Sequence, residues 1–331
     1  MRYLFLLVLM INLSCSDEKE SGIINDFNNE NNQWLVDESL VKEGAPFEFI
    51  DSPKFKKPSE FDTLSDNELV LMFSNKGKIR VFPYIYLNYS EVVNDEIEGL
   101  KYVASYCPQT KSGICFQKNI NGKEFNMFAS GYLYKDNLVL TSKEDEKTFW
   151  SQMLVSGIKG NDLSLGIKDV FSIETTWKTV KKKFPEADVY YHNLLKKEAK
   201  FYSYESVSSA GSKKYLGIIS EGIERKVELF SFTDFNKTKI KKTNVNGREV
   251  VVYGDIDKEV FSVFYIPSGS NLKVVNKFPI ILSDERGNEW NIFGEAITGS
   301  NIGSRLTSPS FYTADLWAWN CFFKDEVTQN P

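Results

Sequence analysis

A chain of 331 residues, with 42% hydrophobic and 14% aromatic content, can bury a large core, and its length fits about two domains. Its 25 Phe and 16 Tyr favour β-structure, because aromatic rings suit a pleated, half-buried surface. A formal charge of −5 argues against a nucleic-acid partner, which needs a concentrated basic face.

The first fifteen residues carry an address. Arg2 is a short basic head, and Tyr3 to Ile11 is an apolar stretch far too short to span a bilayer. Asn12-Leu13-Ser14-Cys15 follows, with a small residue directly before a cysteine. This resembles a bacterial lipoprotein signal, in which 1–14 is removed and Cys15 becomes the acylated first residue; Asn12 departs from the apolar residue usual at its place. An ordinary signal peptide with an incidental cysteine is the other reading. The run Ser16-Asp17-Glu18-Lys19-Glu20 resembles a surface-export tag of some Gram-negative lipoproteins, or is a solvated tether. Residues 15–33, polar and without apolar period, are expected to be flexible. The expected location is the outer membrane, reached by lipid. The expected partners are the membrane itself and a surface ligand or envelope protein.

Trp34 to Phe55 carries Gly44-Ala45-Pro46 and Asp51-Ser52-Pro53 and reads as an extended wrapping segment rather than a strand pair. Glu68 to Phe73 and Lys78 to Phe82 flank Ser74-Asn75-Lys76-Gly77 as a hairpin, ended by Pro83. Tyr84 to Val93 is either a short helix or a loop, and Asn94-Asp95 leads into a turn near Gly99. Tyr102 to Tyr106 is a strand that delivers Cys107. Phe116 to Ile120 and Glu124 to Ala129 form a hairpin about Asn121-Gly122, since Asn-Gly supplies the positive backbone angles of a two-residue turn. Leu138 to Thr141 is a further strand, followed by the charged turn Ser142 to Lys147. Thr175 to Phe184 puts Trp177, Val180 and Phe184 on one helical face, and Pro185 stops it. Polar Lys196 to Lys214, with Ser208-Ser209-Ala210-Gly211-Ser212, marks a boundary between a first domain, 34–203, and a second, 204–331. The basic runs Lys181-Lys182-Lys183 and Lys237-Thr238-Lys239-Ile240-Lys241-Lys242 read as solvated faces.

The halves echo one another. Trp150 and Trp290 are separated by the same distance along the chain as Trp177 and Trp317. Gly157-Ile158-Lys159-Gly160 parallels Ala296-Ile297-Thr298-Gly299, and Gly77 to Phe82 answers Glu224 to Phe230 after a small insertion or deletion. The pattern predicts one internal duplication rather than a solenoid, since only two copies fit. Paired halves enclose a cleft, a natural place for a site.

Three motifs stand in order in the central block: Tyr106-Cys107-Pro108-Gln109, then Phe128-Ala129-Ser130-Gly131-Tyr132-Leu133-Tyr134, then Trp150-Ser151-Gln152. With Ser90-Glu91-Val92-Val93-Asn94-Asp95 upstream, they make the chain similar to the family known as domain of unknown function 3179. The similarity runs over Trp34 to Pro185, with weaker traces to Phe323. In that family a His stands at the position of Ser90, and an Asp-Arg pair at the position of Lys143-Glu144. The resemblance implies a fold and a site but no activity, and the departures imply that any family chemistry is here reduced to binding.

Cys107, beside Pro108, is the most chemical-looking residue. A useful thiolate needs a cation, a helix N-terminus or a metal, and Lys111 is the nearest cation in sequence. Cys107 and Cys115 flank Pro108 and Gly113, so a small bridged loop is a second reading, leaving one odd thiol. His192 is the only histidine, which excludes a multi-histidine metal site and argues against a Ser-His-Asp triad. Glu91 and Asp95 share one face if the helix extends that far. There they would act as acid and base or hold a cation; otherwise they serve caps and turns. Ser130-Gly131 reads as a bulge and lacks the frame of a nucleophile elbow. No phosphate-cradling loop or dinucleotide fingerprint appears. Trp150, Trp177, Trp290 and Trp317 anchor the cores, with sugar stacking in a cleft as the alternative.

These readings give an α+β, predominantly β protein of two related halves, acting as a non-catalytic binding or assembly module at the cell envelope. The alternative is a hydrolytic or redox enzyme centred on Cys107, with Glu91, Asn94 and Gln152 around it. Ser130, Trp150 and Ser151 are candidate binding residues. No cofactor and no metal are expected.

Overall fold

The computed structural model describes residues 33–44, 47–160, 167–192, 214–222, 225–237, 239–324 and 327–329. The expected signal 1–14, the expected lipidation site Cys15, the rest of the tether up to Asn32, and the boundary at 203/204 lie outside the described residues.

Short strands dominate the chain, as its aromatic content predicts. The first hairpin forms where expected, as β3 (Leu69–Asn75) and β4 (Lys78–Pro83). Lys76 and Gly77 at its tip both have positive φ, 48° and 78°, the pair of angles a tight hairpin turn demands. Pro83 closes β4 and caps α1 (Tyr84–Leu87), where its missing N–H costs nothing. β15 (Ile173–Thr176) runs antiparallel to β3, β16 (Asp188–Tyr191) runs parallel to β4, and β2 (Lys54–Lys56) edges β16. α2 (Trp177–Lys183) starts directly after β15. The Thr176 side chain accepts the Thr179 N–H, and Lys181 to Lys183 occupy the last turn, where the helix dipole favours cations.

A second sheet, in the order β14 (Asp169–Val170), β7 (Ser112–Gln117), β6 (Leu100–Cys107), β5 (Val92–Ile97), lies between two cores. Alternation assigns its side chains: Tyr102, Ala104, Tyr106 and Cys115 enter one core, and Val103, Cys107, Ile114 and Phe116 the other. A third sheet orders β1 (Val41–Glu43), β10 (Met127–Tyr134), β11 (Asn137–Ser142), β12 (Phe149–Ser151) and β13 (Ser156–Lys159). The wrapping segment therefore touches three sheets: β1 edges β10, β2 edges β16, and Ile50 bridges Val93 of β5 between them. The Asn121-Gly122 turn has the expected angles, 48° and 82°, but joins only the two-residue β8 (Asn119–Ile120) and β9 (Lys123–Glu124). The long partner of β7 is β6, because both strands are buried on both faces and neither can sit at an edge.

Residues 214–329 build a comparable series. β26 (Ser310–Asp315), β17 (Lys214–Ile219), β18 (Val227–Phe230) and β27 (Val327–Gln329) stand in that order, with the last pair parallel. This matches β15-β3-β4-β16 in order and direction. A meander of β19 (Ile240–Val245), β20 (Arg248–Asp255) and β21 (Val260–Tyr265) follows, then β22 (Lys273–Lys277), β23 (Ile280–Ser283), β24 (Glu289–Asn291) and β25 (Ala296–Thr298). α3 (Leu316–Phe322) follows β26 as α2 follows β15. Both cores draw on both halves: Leu216 and Phe311 join the one containing Tyr102, while Tyr312 and Trp319 join the one containing Cys107.

Tyr84 and Tyr106 stack at 3.9 Å and 15° within the first core, and Gly113, paired with Tyr106 across β6 and β7, leaves the space that the Tyr84 ring fills. A Cβ at Gly113 would overlap the Tyr84 hydroxyl. Gly113→Ala should therefore destabilise the protein by about 1–3 kcal/mol through overpacking, read as a lowered denaturant midpoint. A midpoint equal to wild type would show that the ring moves aside freely.

Candidate functional site

The sequence reversal between β6 and β7 brings the polar ends of four strands together. Cys107 ends β6, Thr110 sits in the turn, Ser112 starts β7, Asn137 starts β11, and Gln152 follows β12. All five are buried. Buried polar groups must find partners inside the protein, and these find each other.

Gln152 is the hub. Its Oε1 accepts from Ser112 Oγ at 2.8 Å and from Asn137 Nδ2 at 2.9 Å. Its Nε2 donates to Ser105 Oγ at 2.9 Å and to the Ser112 carbonyl at 3.3 Å. Asn137 Nδ2 also donates to Thr110 Oγ1 at 2.9 Å, and Thr110 Oγ1 lies 2.8 Å from Ser112 Oγ. Ser105 Oγ donates to the Ile114 carbonyl at 2.8 Å, and Asn137 Oδ1 accepts the Met153 N–H at 3.1 Å. Every polar atom of the Gln152 amide is engaged.

Cys107 borders this network through Thr110. Burial, and then the Glu91 carboxyl, push its thiol above the ordinary value, while hydrogen bonds from Thr110 and the Leu138 amide act the other way. Its Sγ lies 3.8 Å from the Asp136 carbonyl, a contact in which the protonated thiol donates. This is the environment of an inert thiol, not of a thiolate nucleophile.

Glu91 approaches the same cluster by an unusual backbone. It has a φ of 55°, in the left-handed region, just before β5 begins. Its N–H donates to the Leu87 carbonyl and its own carbonyl accepts from Tyr106 N, so the strained residue is pinned at both ends. Burial raises its carboxyl from the ordinary 4.5 to about 8, and its Oε2 has no hydrogen-bond partner among the described residues.

Several expectations change here. Glu91 and Asp95 do not share a helical face, because α1 ends at Leu87 and Asp95 lies within β5. Asp95 takes Arg80 at 2.8 Å as a partner, away from Glu91. Asn94-Asp95 lies within β5, while the turn near Gly99 forms where expected, at Glu98-Gly99 with positive φ at both. The Cys107–Cys115 bridge does not form. Cys107 stands opposite Ser112 and Cys115 opposite Ala104, one pleat out of phase, so the two thiols point into different cores, each free and buried.

The remaining candidates divide. Asn94 is buried away from the Gln152 network and clips two segments, donating to the Ile50 and Met127 carbonyls and accepting the Met127 N–H. Ser130 lies in the expected bulge, donating to the Val139 carbonyl beside Gly131 at φ 82°. Trp150 and Ser151 are fully buried; Trp150 meets Phe125 edge-on at 5.5 Å. Trp177 and Trp290 are likewise core residues, while Trp317 is half-buried. Lys143 lies over the Phe49 ring at 3.3 Å, and Glu144 accepts twice from Asn126, both at 2.7 Å. Lys111 pairs with Asp315 at 3.5 Å rather than with Cys107. His192 stacks on Tyr89 and reaches Glu48 at 3.3 Å. Among the described residues no cluster of three His, Cys, Asp or Glu side chains could hold a metal.

Sequence reasoning missed Thr110, Ser112, Asn137 and Ser105 as members of the site. The one visible signal was a buried-strand polar residue directly before an apolar run, Asn137 before Leu138-Val139-Leu140.

Two outcomes follow. Gln152→Leu keeps the volume but takes one partner each from Ser105, Ser112 and Asn137, leaving them the Ile114 carbonyl and Thr110, so it should cost about 1–3 kcal/mol in a denaturant titration. For Glu91 the folded pKa exceeds the unfolded one, so the folded state holds the extra proton between pH 4.5 and about 8. Stability should be greatest below this window and fall as pH rises through it, with Glu68, raised to about 7, adding in the same sense. Glu91→Gln should flatten the slope and gain stability relative to wild type at the alkaline end; an unchanged slope would remove Glu91 as its source.

No curated protein and no solved structure matches the chain. The central motifs fall within the matched region of one family model, and the chain belongs to the family described as Protein of unknown function (DUF3179), across residues 45–326.

Proposed function

We propose that this protein is a lipid-anchored envelope module that binds or assembles with partners and carries out no chemistry at Cys107. The observation that carries the reading is the closure of the Cys107 cluster: Gln152 has every amide hydrogen bond made internally, and Cys107, Thr110, Ser112 and Asn137 are buried. A catalytic group must meet its substrate within hydrogen-bond reach, and this cluster spends its donors and acceptors on itself. The sequence departures agree in sense. Ser90 and the Lys143-Glu144 pair replace the titratable set of the resembling pattern, and Glu144 serves Asn126 instead.

The module consists of two related halves arising by duplication. Support comes from the matching sheet orders β15-β3-β4-β16 and β26-β17-β18-β27, each with one parallel pair, and from Trp150 and Trp290 at the same place on β12 and β24. The anchor rests on the Leu13-Ser14-Cys15 signal and the acidic run behind it.

A specific observation favours the enzyme alternative: a buried carboxyl, Glu91, whose Oε2 has no hydrogen-bond partner among the described residues, beside a buried thiol. The two readings separate by alkylation of the detergent-extracted native protein near neutral pH, with each cysteine followed by peptide mass. On the proposed reading Cys107 reacts only after denaturation, and Cys107→Ala retains partner capture from envelope extracts. Rapid native alkylation of Cys107, or hydrolysis of an ester, glycan or peptide panel that Cys107→Ser abolishes, would establish the enzyme. Cys15→Ser should move the protein from the detergent phase to the aqueous phase; continued detergent partitioning would refute the lipid anchor.

A further inference from the structure

A second buried polar cluster lies where the two halves meet. Glu174 on β15 and Lys214, the first residue of β17, have side chains only 4% and 3% exposed. Lys214 Nζ donates to Glu174 Oε2, and the Tyr84 hydroxyl donates to the same oxygen at 2.7 Å. The Lys214 ammonium also lies 5.3 Å from the centre of the Tyr84 ring. Glu174 Oε1 is buried with no hydrogen-bond partner among the described residues. Beside it is a cavity with room for about one water molecule, lined by Glu174, Ser172, Gly113, Glu259, Leu71 and Tyr312, among others.

An ion pair is a poor occupant of such a place. Each ion loses its hydration on burial, and recovers that loss only when its remaining hydrogen-bonding capacity is met. Here one carboxylate oxygen is left unmet. Condensation of the pair into an amide would remove both charges from the interior, and fixed contact replaces a bimolecular encounter by an intramolecular one.

We propose that Lys214 and Glu174 form an intramolecular isopeptide bond without added enzyme or cofactor. Lys214 Nζ attacks Glu174 Cδ, so the N–C bond forms. The Cδ–Oε2 bond then breaks, and Oε2 leaves as water with the two protons shed by the ammonium. No oxidant or reductant is needed, since the carbon stays at the same oxidation level. Tyr84 assists, because its hydroxyl stays protonated: burial and then the Glu174 charge push it well above the ordinary phenol range. It thus donates to Oε2 as that oxygen departs, and the adjoining cavity accommodates the released water. The product replaces two buried charges by one neutral amide and ties β15 to β17, which belong to different sheets.

Tryptic mapping of the purified full chain after reduction tests this. The expected result is a branched peptide joining the Glu174 segment to the Lys214 segment, lighter by one water than its parts, with no cleavage after Lys214. Glu174→Leu and Lys214→Met should restore two separate segments, and Tyr84→Phe should leave a partly linked population that matures slowly. Two unlinked wild-type peptides of full mass, cut after Lys214, would overturn the proposal and leave a buried ion pair. The wild-type result decides the matter even if a variant fails to fold.

Discussion

The sheet β14-β7-β6-β5 constrains everything around it, because it is buried on both faces. A strand with one solvated face can place polar residues outward, whereas β6 and β7 cannot. Tyr102, Ala104 and Tyr106 fill one core; Val103 and Cys107 fill the other. Where the strands end, the backbone must still turn, and the residues of that turn carry hydroxyl and amide groups into a dry interior. Gln152, Asn137, Thr110, Ser112 and Ser105 close those groups upon each other. In a low-dielectric interior such a network is strong when complete and costly when one member is lost.

The same two-faced sheet explains why the two free thiols remain apart. Strand register determines which core a side chain enters, and a shift of one residue exchanges the faces. Cys107 opposite Ser112 and Cys115 opposite Ala104 lie three positions apart on each strand, an odd number that carries the same exchange of face. Loop length alone made a bridge plausible; parity forbids it. Parity also explains Glu91. A residue in ordinary β conformation one step before Val92 would face the Tyr106 side of the sheet. The left-handed backbone at Glu91 departs from that alternation, and its carboxyl acts on Cys107 instead.

Local features were therefore legible in the sequence and pairwise ones were not. Asn75 to Lys78 and Asn119 to Lys123 announce their turns, since positive φ at Lys76-Gly77 and Asn121-Gly122 is a property of short stretches. Thr176, Trp177 and Val180 announce a helix by capping and periodicity. Tyr106-Cys107-Pro108 and Trp150-Ser151-Gln152 mark the central block by resemblance. The partners of Gln152, however, come from three separated segments, and no spacing rule joins residue 105 to 112, 137 and 152. The helix suggested by Tyr84 to Val93 stops early because the chain must turn into β5, where Val92 and Val93 each enter a core. The small Asn121-Gly122 hairpin shows the reverse case: the turn chemistry was right, but burial on both faces gave β7 to β6.

Two polar clusters thus sit on opposite sides of the same doubly buried sheet, and they obey different rules. The Gln152 cluster is built of neutral groups, whose donors and acceptors can be matched one to one, so it is stable as it stands. The Glu174 cluster joins an ion pair, and charge cannot be matched by counting partners alone; Glu174 Oε1 remains over among the described residues. Gly113 connects the two. Its backbone lies between Ser112 of the first cluster and the Tyr84 ring of the second, and its lack of a side chain lets that ring reach Glu174. The residue type at one strand position therefore sets how closely the Tyr84 ring, and with it Glu174, approaches the sheet whose opposite face carries the thiol that the sequence makes most conspicuous.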